Sequence, residues 1–312
     1  MGATFSVNDP HYASYPREIA EQEYKNSEER VRPSNPKYEM PDNIADLERL
    51  ETQHYLMRYL WQSNFEAPVD QVLKSSDAKV LDVGCGHGTW IFELAQEYPN
   101  AQFTGIDTES FLPKRESSDN IKFLEHDLQH GLPFADNTFD FVHMRFLTQY
   151  ISEKTWEDVI VKELVRVAKP GGWIEIIEFD YPHYSAGPKT RKFTKAAMEF
   201  LASKGFNGLL SLKLPSFLKA TGQVGDIRKH DKSIALGKWA GKVGEFAIQD
   251  MSLLVTELRA ELSSFMNISE AEYDQLLEDY KQEVEKFKSF FKTHRFFTQK
   301  VNVDEKTGMP IL

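Results

Sequence analysis

A glycine-rich segment between an apolar strand and a helix constrains this sequence more than any other feature. The strand Val80–Val83 runs directly into three alternating glycines, and a helical pattern begins at Trp90. Glycine permits positive φ angles and lets a ligand approach the backbone more closely than a β-carbon would allow. A second predicted strand ends at Asp107, whose carboxylate can accept hydrogen bonds from both ribose hydroxyls of a nucleoside. Together these features predict a site for a nucleoside cofactor.

The spacing of the glycines argues against a dinucleotide. A dinucleotide fingerprint has glycine at its first, third and sixth positions. The sixth position is Thr89 when counted from Gly84 and Ile91 when counted from Gly86. In addition, Asp82 precedes the first glycine by two residues. A second carboxylate there repels a pyrophosphate but attracts a ligand that carries an ammonium and a sulfonium group.

These residues resemble motif I of the class I S-adenosylmethionine (AdoMet) methyltransferases, and the resemblance continues downstream over about a hundred residues. The segments that resemble later motifs follow in the family's order: 123–128, 137–145 and 166–172. The resemblance implies an α/β fold with a doubly wound, Rossmann-like seven-stranded sheet and helical lid insertions. It implies AdoMet as cofactor, with Asp127 at the adenine amino group. The cofactor-binding residues that it implies are Asp82, Gly84, Cys85, Gly86, Asp107, Thr108, Asp127, Leu128 and Arg145.

A narrower resemblance covers residues 38–180. The acidic lead-in 41–54, with its Glu-Arg-Leu and Gln-His pairs, looks like that of the fungal LaeA-type methyltransferases. Segments 132–137 and 139–145 are also similar to that group. The group mixes small-molecule methyltransferases of secondary metabolism with regulators whose methyl acceptor is not defined. This resemblance therefore leaves the substrate open.

The chain is predicted to have an N-terminal arm, partly disordered, over residues 1–40 and a methyltransferase domain over 41–312. Within that domain the AdoMet-binding core spans 75–180, a helical lid covers about 185–222 and 243–292, and a final strand covers about 294–303. Alternation of strand and helix across the core indicates a parallel sheet with helices on both faces. The resemblance implies that the helices before the last strand roof the substrate site. The predicted elements are helices from Pro41 to Trp61 and at Trp90–Tyr98, Glu153–Val167, Lys189–Lys204, Leu209–Thr221 and within Val243–Lys292, and strands at Lys79–Val83, Gln102–Ile106, Ile121–Glu125, Phe139–Met144, Trp173–Phe179, Asp226–Leu236 and His294–Val303.

Composition limits the binding partners and the cellular compartment that can be expected for this protein. The net charge of −11 disfavours nucleic acid, because phosphate-backbone binding needs a basic face. The sequence shows neither an 18-residue apolar run nor a signal peptide, and its single cysteine, Cys85, is typical of an intracellular protein. We therefore expect a cytoplasmic or nuclear location. Gly2 followed by Ser6 matches an N-myristoylation pattern, but no basic cluster supplies the second membrane signal.

Methyl transfer from a sulfonium is an in-line displacement, so much of its rate can come from holding acceptor and methyl group in line in a dry pocket. A neutral hydroxyl or a protonated amine also needs a base. The catalytic candidates at the ends of the fourth and fifth strands are His143, Glu178, Asp180 and His183. His143 could equally be a strand histidine bonded to the backbone, and the last two could belong to a surface loop. The residues show no metal-ligand spacing, so we expect no metal.

The acceptor is predicted to be a small, apolar or aromatic metabolite methylated on oxygen, nitrogen or sulfur. Aromatic residues favour this prediction, although they also fill cores: Trp90, Tyr150, Trp156, Phe193 and Phe200. The main alternative is a LaeA-like regulatory protein that binds AdoMet and acts through protein partners. The apolar stripe over 273–291 would suit a coiled-coil partner as well as packing within this domain. A nucleotide-dependent oxidoreductase is the third and least favoured hypothesis.

Overall fold

The computed structural model describes residues 48–108, 118–303 and 310–311. These residues divide into two compact units. The sheet unit contains residues 63–179, 205–231 and those from 294 onward, and the helical unit contains residues up to 62 together with 180–204 and 232–293. The N-terminal arm, the motif at Gly2 and the predicted helix start at Pro41 lie outside the described residues.

A seven-stranded mixed sheet with order β3-β2-β1-β4-β5-β7-β6 organises the chain and confirms the predicted α/β class. The strands are β1 Lys79–Val83, β2 Gln102–Asp107, β3 Ile121–Glu125, β4 Phe139–Arg145, β5 Ala168–Phe179, β6 Arg228–Ala235 and β7 Phe290–Gln299, followed by the short pair β8 Asn302–Val303 and β9 Pro310–Ile311. The first five strands pair in parallel. Parallel pairing brings the carboxyl ends of β1, β2 and β4 to the same edge, where ligands of open α/β sheets bind.

The seventh strand is antiparallel to the fifth. Lys300, just beyond β7, donates its N–H to the carbonyl of Gly172 near the start of β5. At the other end of β5, Asp180 donates its N–H to the carbonyl of Lys292. This order of partners makes β7 antiparallel to β5, as expected for the last strand of the fold.

Side chains alternate between the two faces of the sheet and build one apolar core on each. Leu81, Val142 and Ile174 belong to one core, and Val80 and Phe141 belong to the other. The first described helix, α1 Arg49–Trp61, belongs to the other unit. The helices of the sheet unit are α2 Asp70–Leu73, α3 Thr89–Glu97, α4 Glu153–Thr155, which continues through the π-turn Trp156–Ile160 into α5 Val161–Val167, and α7 Leu214–Ala220. The helix α3 packs into the second core through Trp90, Ile91 and Leu94.

The described residues of the helical unit form five α-helices. They are α1 Arg49–Trp61, α6 Pro188–Ser203, α8 Gly241–Glu257, α9 Arg259–Phe265 and α10 Glu270–Phe287. A capping box between Ser269 and Glu272 starts α10 and satisfies two backbone N–H groups there. Its buried Tyr273 donates its hydroxyl to the carbonyl of Val255 at 2.8 Å. The apolar stripe of α10 thus packs within this unit, although the stripe alone did not exclude a partner helix.

Several predicted bounds were wrong by a few residues. The last helix ends at Phe287 rather than reaching Lys292, because Lys288 takes a left-handed φ of 53°. The final strand consequently begins at Phe290, four residues before the predicted His294. The helix predicted from Leu209 begins only at Leu214, after a 3₁₀ turn.

The segment 205–222, which was predicted to belong to the lid, falls in the sheet unit. Leu210, Leu214 and Leu218 are buried there in the first apolar core. Among the described helices, none is both long and apolar enough to cross a lipid bilayer.

Candidate functional site

The glycine segment forms a tight loop at the carboxyl end of β1. Gly84, Gly86 and Gly88 have φ values of 70°, 53° and 73°, all in the left-handed region. The N–H groups of Gly84 and Cys85 both donate to the carbonyl of Ile106, at 2.8 and 3.1 Å. These bonds attach the loop to the neighbouring strand β2, and glycine accommodates the three left-handed φ values without a steric penalty.

Two of these glycines are also needed for space. A β-carbon on Gly84 would lie 2.5 Å from Cδ1 of Leu147, which follows β4. A β-carbon on Gly88 would lie 2.7 Å from the ring of Phe123 on β3. Side chains from β3 and from the segment after β4 therefore pack against the loop, and Leu147 is a site residue that the sequence reasoning missed.

Asp107, at the end of β2, is hydrogen-bonded to the glycine loop. Its Oδ2 accepts the N–H of Gly86 at 2.7 Å, and its Oδ1 accepts the N–H of Thr108 at 2.7 Å. Burial raises the pKa of Asp107, and these two hydrogen bonds partly oppose the rise. The hydroxyl of Thr108 also lies 3.4 Å from Oδ1. An ionised carboxylate has about four lone-pair positions, so at least one remains for a donor such as a ribose hydroxyl.

The third predicted acidic residue lies on the next strand end. Asp127 is exposed and accepts the N–H of Gln129 at 2.9 Å, which caps a 3₁₀ turn beginning at Leu128. The N–H of His126 donates to the carbonyl of Asp107 at 2.9 Å. That bond connects the end of β3 to the end of β2, so Asp107, Thr108, Asp127 and Leu128 share the carboxyl edge of the sheet.

Beneath the loop lies a buried pair that the sequence did not predict. Oδ1 of Asp82 accepts from Nδ1 of His143 at 2.7 Å, and the two residues are 2% and 0% exposed. The interpretation of His143 as a histidine bonded to the backbone was therefore wrong about its partner. Burial lowers the pKa of nearby Arg145 to about 10, and attraction to Asp82 opposes that decrease. Arg145 is thus part of the same charge cluster.

Cys85 is a packing residue of the loop. Burial, followed by the charges of Asp82 and Asp107, raises the pKa of its thiol. A nucleophilic cysteine needs the opposite environment. Its sulfur would also lie 2.8 Å from a β-carbon placed on Gly105, so it fills space between β1 and β2.

Glu178 is fully buried near the end of β5. Its Oε1 accepts the N–H of Leu147 at 2.7 Å, and its Oε2 accepts the hydroxyl of Thr148 at 2.8 Å. Burial raises the pKa of Glu178 to about 7. Both oxygens thus hold the segment after β4 that packs on Gly84.

The other two base candidates belong to the helical unit. Asp180 is buried, and its N–H donates to the carbonyl of Lys292 at 2.9 Å. His183 Nδ1 lies 2.8 Å from the carbonyl of Tyr181, so it carries the proton, and Nε2 accepts the hydroxyl of Tyr280 at 2.8 Å. Burial lowers the pKa of His183 to about 4, so its imidazole is neutral at pH 7.

His183 is part of the wall of an apolar cavity. Tyr181 and residues of α6, α8 and α9 also line the cavity, among them Phe193, Phe200, Met251, Leu254 and Leu262. Among the described residues, no group of three or more histidine, cysteine, aspartate or glutamate side chains is arranged to hold a metal ion. The arrangement thus comprises a hydrogen-bonding loop in the sheet unit and an apolar cavity in the helical unit.

Comparison with known proteins assigns a family to part of the sheet unit. Residues 80–172 match the family model described as a methyltransferase domain. The chain is 28% identical over 174 residues to methyltransferase str3 of Strobilurus tenacellus, covering 55% of this chain and 57% of that protein. It is 27% identical over 150 residues to the secondary metabolism regulator laeA of Coprinopsis cinerea, covering 47% of this chain and 37% of that protein. The chain thus spans less than two thirds of each of these relatives.

A solved structure shows a distant similarity. Phosphoethanolamine N-methyltransferase 2 of Haemonchus contortus, in complex with S-adenosyl-L-methionine, aligns with a TM-score of 0.47 and 15% identity. The alignment covers 82% of this chain and 58% of that one.

Proposed function

We propose that this chain, whose residues 80–172 match a methyltransferase domain, is a class I AdoMet-dependent methyltransferase that transfers a methyl group from AdoMet to a small apolar acceptor. The observation that carries the proposal is the closure of the glycine loop on Asp107. The bond from Gly86 N–H to Asp107 holds the glycine loop against a carboxylate that keeps lone-pair capacity for a ligand.

The residues of the loop suit the parts of AdoMet. Asp107 would bind the ribose hydroxyls, and Asp127 would accept from the adenine amino group. Asp82 and Arg145 would hold the ammonium and carboxylate of the amino-acid end. When bound, AdoMet supplies an electrophilic methyl group on a sulfonium. The chain's own task is then to orient the two reactants and to exclude water.

The cavity of the helical unit supports an apolar acceptor. Its lining combines two phenylalanine rings with methionine and leucine side chains. The single imidazole in its wall has both nitrogens engaged and is uncharged, since its pKa is lowered to about 4. Such a surface favours an uncharged, apolar ligand over a charged one.

A second function is favoured by the similarity to the regulator laeA. In that case AdoMet binding would be retained, and the output would depend on a protein partner. A stable complex recovered from cells, whose assembly survives Asp107→Ala, would identify this function. Turnover with a small acceptor would identify the first one.

The experiment that tests the first function measures S-adenosylhomocysteine formed from AdoMet with a panel of phenols, arylamines and thiols. We expect turnover with a subset of apolar acceptors. In Leu254→Trp, the larger ring should fill the cavity and abolish turnover while S-adenosylhomocysteine still binds. As a control, Leu253→Trp changes the exposed neighbour on the same helix and should have little effect. Equal turnover in both variants would overturn the assignment of the cavity to the acceptor.

A further inference from the structure

A row of buried charged and polar side chains crosses four adjacent strands of the sheet. The strand register places Asp82 of β1 opposite His143 of β4, and His143 opposite Glu175 of β5. Arg295 of β7 follows, with its Nε 3.6 Å from Oε1 of Glu175. All four residues are at most 2% exposed. Burying charged groups is costly unless they are paired, so a row of this kind requires a specific reason.

The end of the row at Asp82 lies below the glycine loop. The charge of Asp82 contributes to raising the pKa values of Cys85 and Asp107, which places the carboxylate close to both. A carboxylate only accepts hydrogen bonds, so Nδ1 of His143 must be the donor in their 2.7 Å contact. One lone-pair position of Asp82 is thereby used.

The imidazole is held on its other sides as well. The ring of His143 stacks on that of Trp90, with centroids 4.0 Å apart and planes 5° from parallel. Trp90 is itself anchored, because its indole N–H donates to the carbonyl of Asn64 at 2.9 Å. The ring can therefore neither tilt nor turn away from Asp82 without breaking a packed stack.

We infer that His143 is a positioning residue for the cofactor: it fixes the carboxylate of Asp82 so that its remaining oxygen lone pairs receive the ammonium group of AdoMet's amino-acid end. The inference rests on the proposed function. It assigns His143 no part in proton transfer to or from the acceptor. Its effect must pass through Asp82 and must be confined to ligands that carry the amino-acid end.

The test uses two ligands that differ in this end. S-Adenosylhomocysteine has the amino-acid group, whereas 5′-methylthioadenosine has the same nucleoside without it. In His143→Phe, which keeps an aromatic ring against Trp90 but removes the donor, we expect S-adenosylhomocysteine to bind about 10- to 100-fold more weakly. Binding of methylthioadenosine should change by less than about threefold, since its contacts lie at Asp107.

Two further variants keep the test decisive if His143→Phe folds poorly. His143→Asn places an amide donor where Nδ1 lies, and it should restore most of the affinity for S-adenosylhomocysteine. In an Asp82→Asn background, His143→Phe should have almost no additional effect, because the two residues act through one interaction.

A matched control is available in the same sheet. His294 of β7 is buried, and its Nδ1 lies 2.6 Å from Oδ1 of Asp231. His294→Phe removes a similar pair and should leave the affinities for both ligands unchanged. Equal weakening of both ligands in His143→Phe, or unchanged affinity for both, would overturn the positioning role. Failure of folded wild type to bind either ligand would instead overturn the proposed function, and this inference with it.

Discussion

Gly86 donates its backbone N–H to the carboxylate of Asp107 over 2.7 Å, although 21 positions separate the two residues in the sequence. This bond makes the shape of the glycine loop depend on the residue that is expected to bind the ribose. A ligand at Asp107 therefore meets a loop that is already folded, which reduces the ordering cost of binding.

Gly84→Ala should destabilise the protein for two reasons. The left-handed φ of 70° costs an L-residue about 1–2 kcal/mol. The new β-carbon would also lie 2.5 Å from Leu147, and overpacking of this kind costs roughly 1–3 kcal/mol more. The free energy of unfolding, measured in urea, reports the sum.

Gly222→Ala separates these two costs. Gly222 has a φ of 67°, and a β-carbon there would meet nothing within 4 Å. It should therefore show the backbone cost alone. Equal destabilisation of the two variants would contradict the contact between the glycine loop and Leu147.

Glu178 should make the protein less stable as the pH rises. Its pKa is raised by burial from 4.5 to about 7, so between these values the folded state holds a proton that the unfolded state has lost. Stability is greatest below pH 4.5 for this group and decreases towards pH 7 by roughly 1 kcal/mol per pH unit. The difference in unfolding free energy between wild type and Glu178→Gln should therefore change with pH at this rate. A difference that does not vary with pH would show that Glu178 does not titrate in this range.

His183 should have the opposite effect in an overlapping range. Burial lowers its pKa from 6.5 to about 4, so the contribution to stability is complete above pH 6.5 and is lost as the pH decreases towards 4. In His183→Gln, this decrease in stability between pH 6.5 and pH 4 should be absent. The measurement is again the pH dependence of the unfolding free energy in the variant and in wild type. If both lost stability equally below pH 6.5, the claim that the imidazole of His183 is buried and neutral would be contradicted.

Tyr280→Phe should be more costly than Tyr273→Phe. The first variant leaves the buried Nε2 of His183 without its donor, at a cost of about 1–3 kcal/mol. The second removes a similar 2.8 Å bond to the carbonyl of Val255. That carbonyl oxygen has two lone pairs and can accept from another donor, whereas the neutral imidazole nitrogen has a single acceptor position. Thermal unfolding of the two variants gives the comparison, and equal losses would argue against this role of Tyr280.

The features predicted correctly from the sequence are those encoded within a few residues. Strand alternation and glycine spacing indicated the sheet and the loop, and Asp107 followed because it ends the second strand. The ends of elements were less predictable. The apolar stripe of the last helix continues in sequence to Phe291, but Lys288 ends the helix through its backbone conformation.

Pairs that join distant segments could not be derived from the sequence in this way. Asp82 and His143 are 61 positions apart, and His183 and Tyr280 are 97 apart. The strand order is needed before Asp82 and His143 can be placed side by side on one face. Leu147 escaped notice for the same reason, since only the fold brings it against Gly84.

The most direct test of this account is calorimetric titration of AdoMet and S-adenosylhomocysteine into wild type, Asp107→Ala and Asp140→Ala. Asp140 is a matched control because its carboxylate also accepts a backbone N–H, from Lys79 at 2.9 Å, but at the opposite end of β4. We predict that Asp107→Ala weakens binding roughly 100-fold or more, while Asp140→Ala retains the wild-type affinity. Absence of binding by folded wild type, or equal affinities in all three proteins, would contradict the assignment of the glycine loop and Asp107 as the AdoMet site.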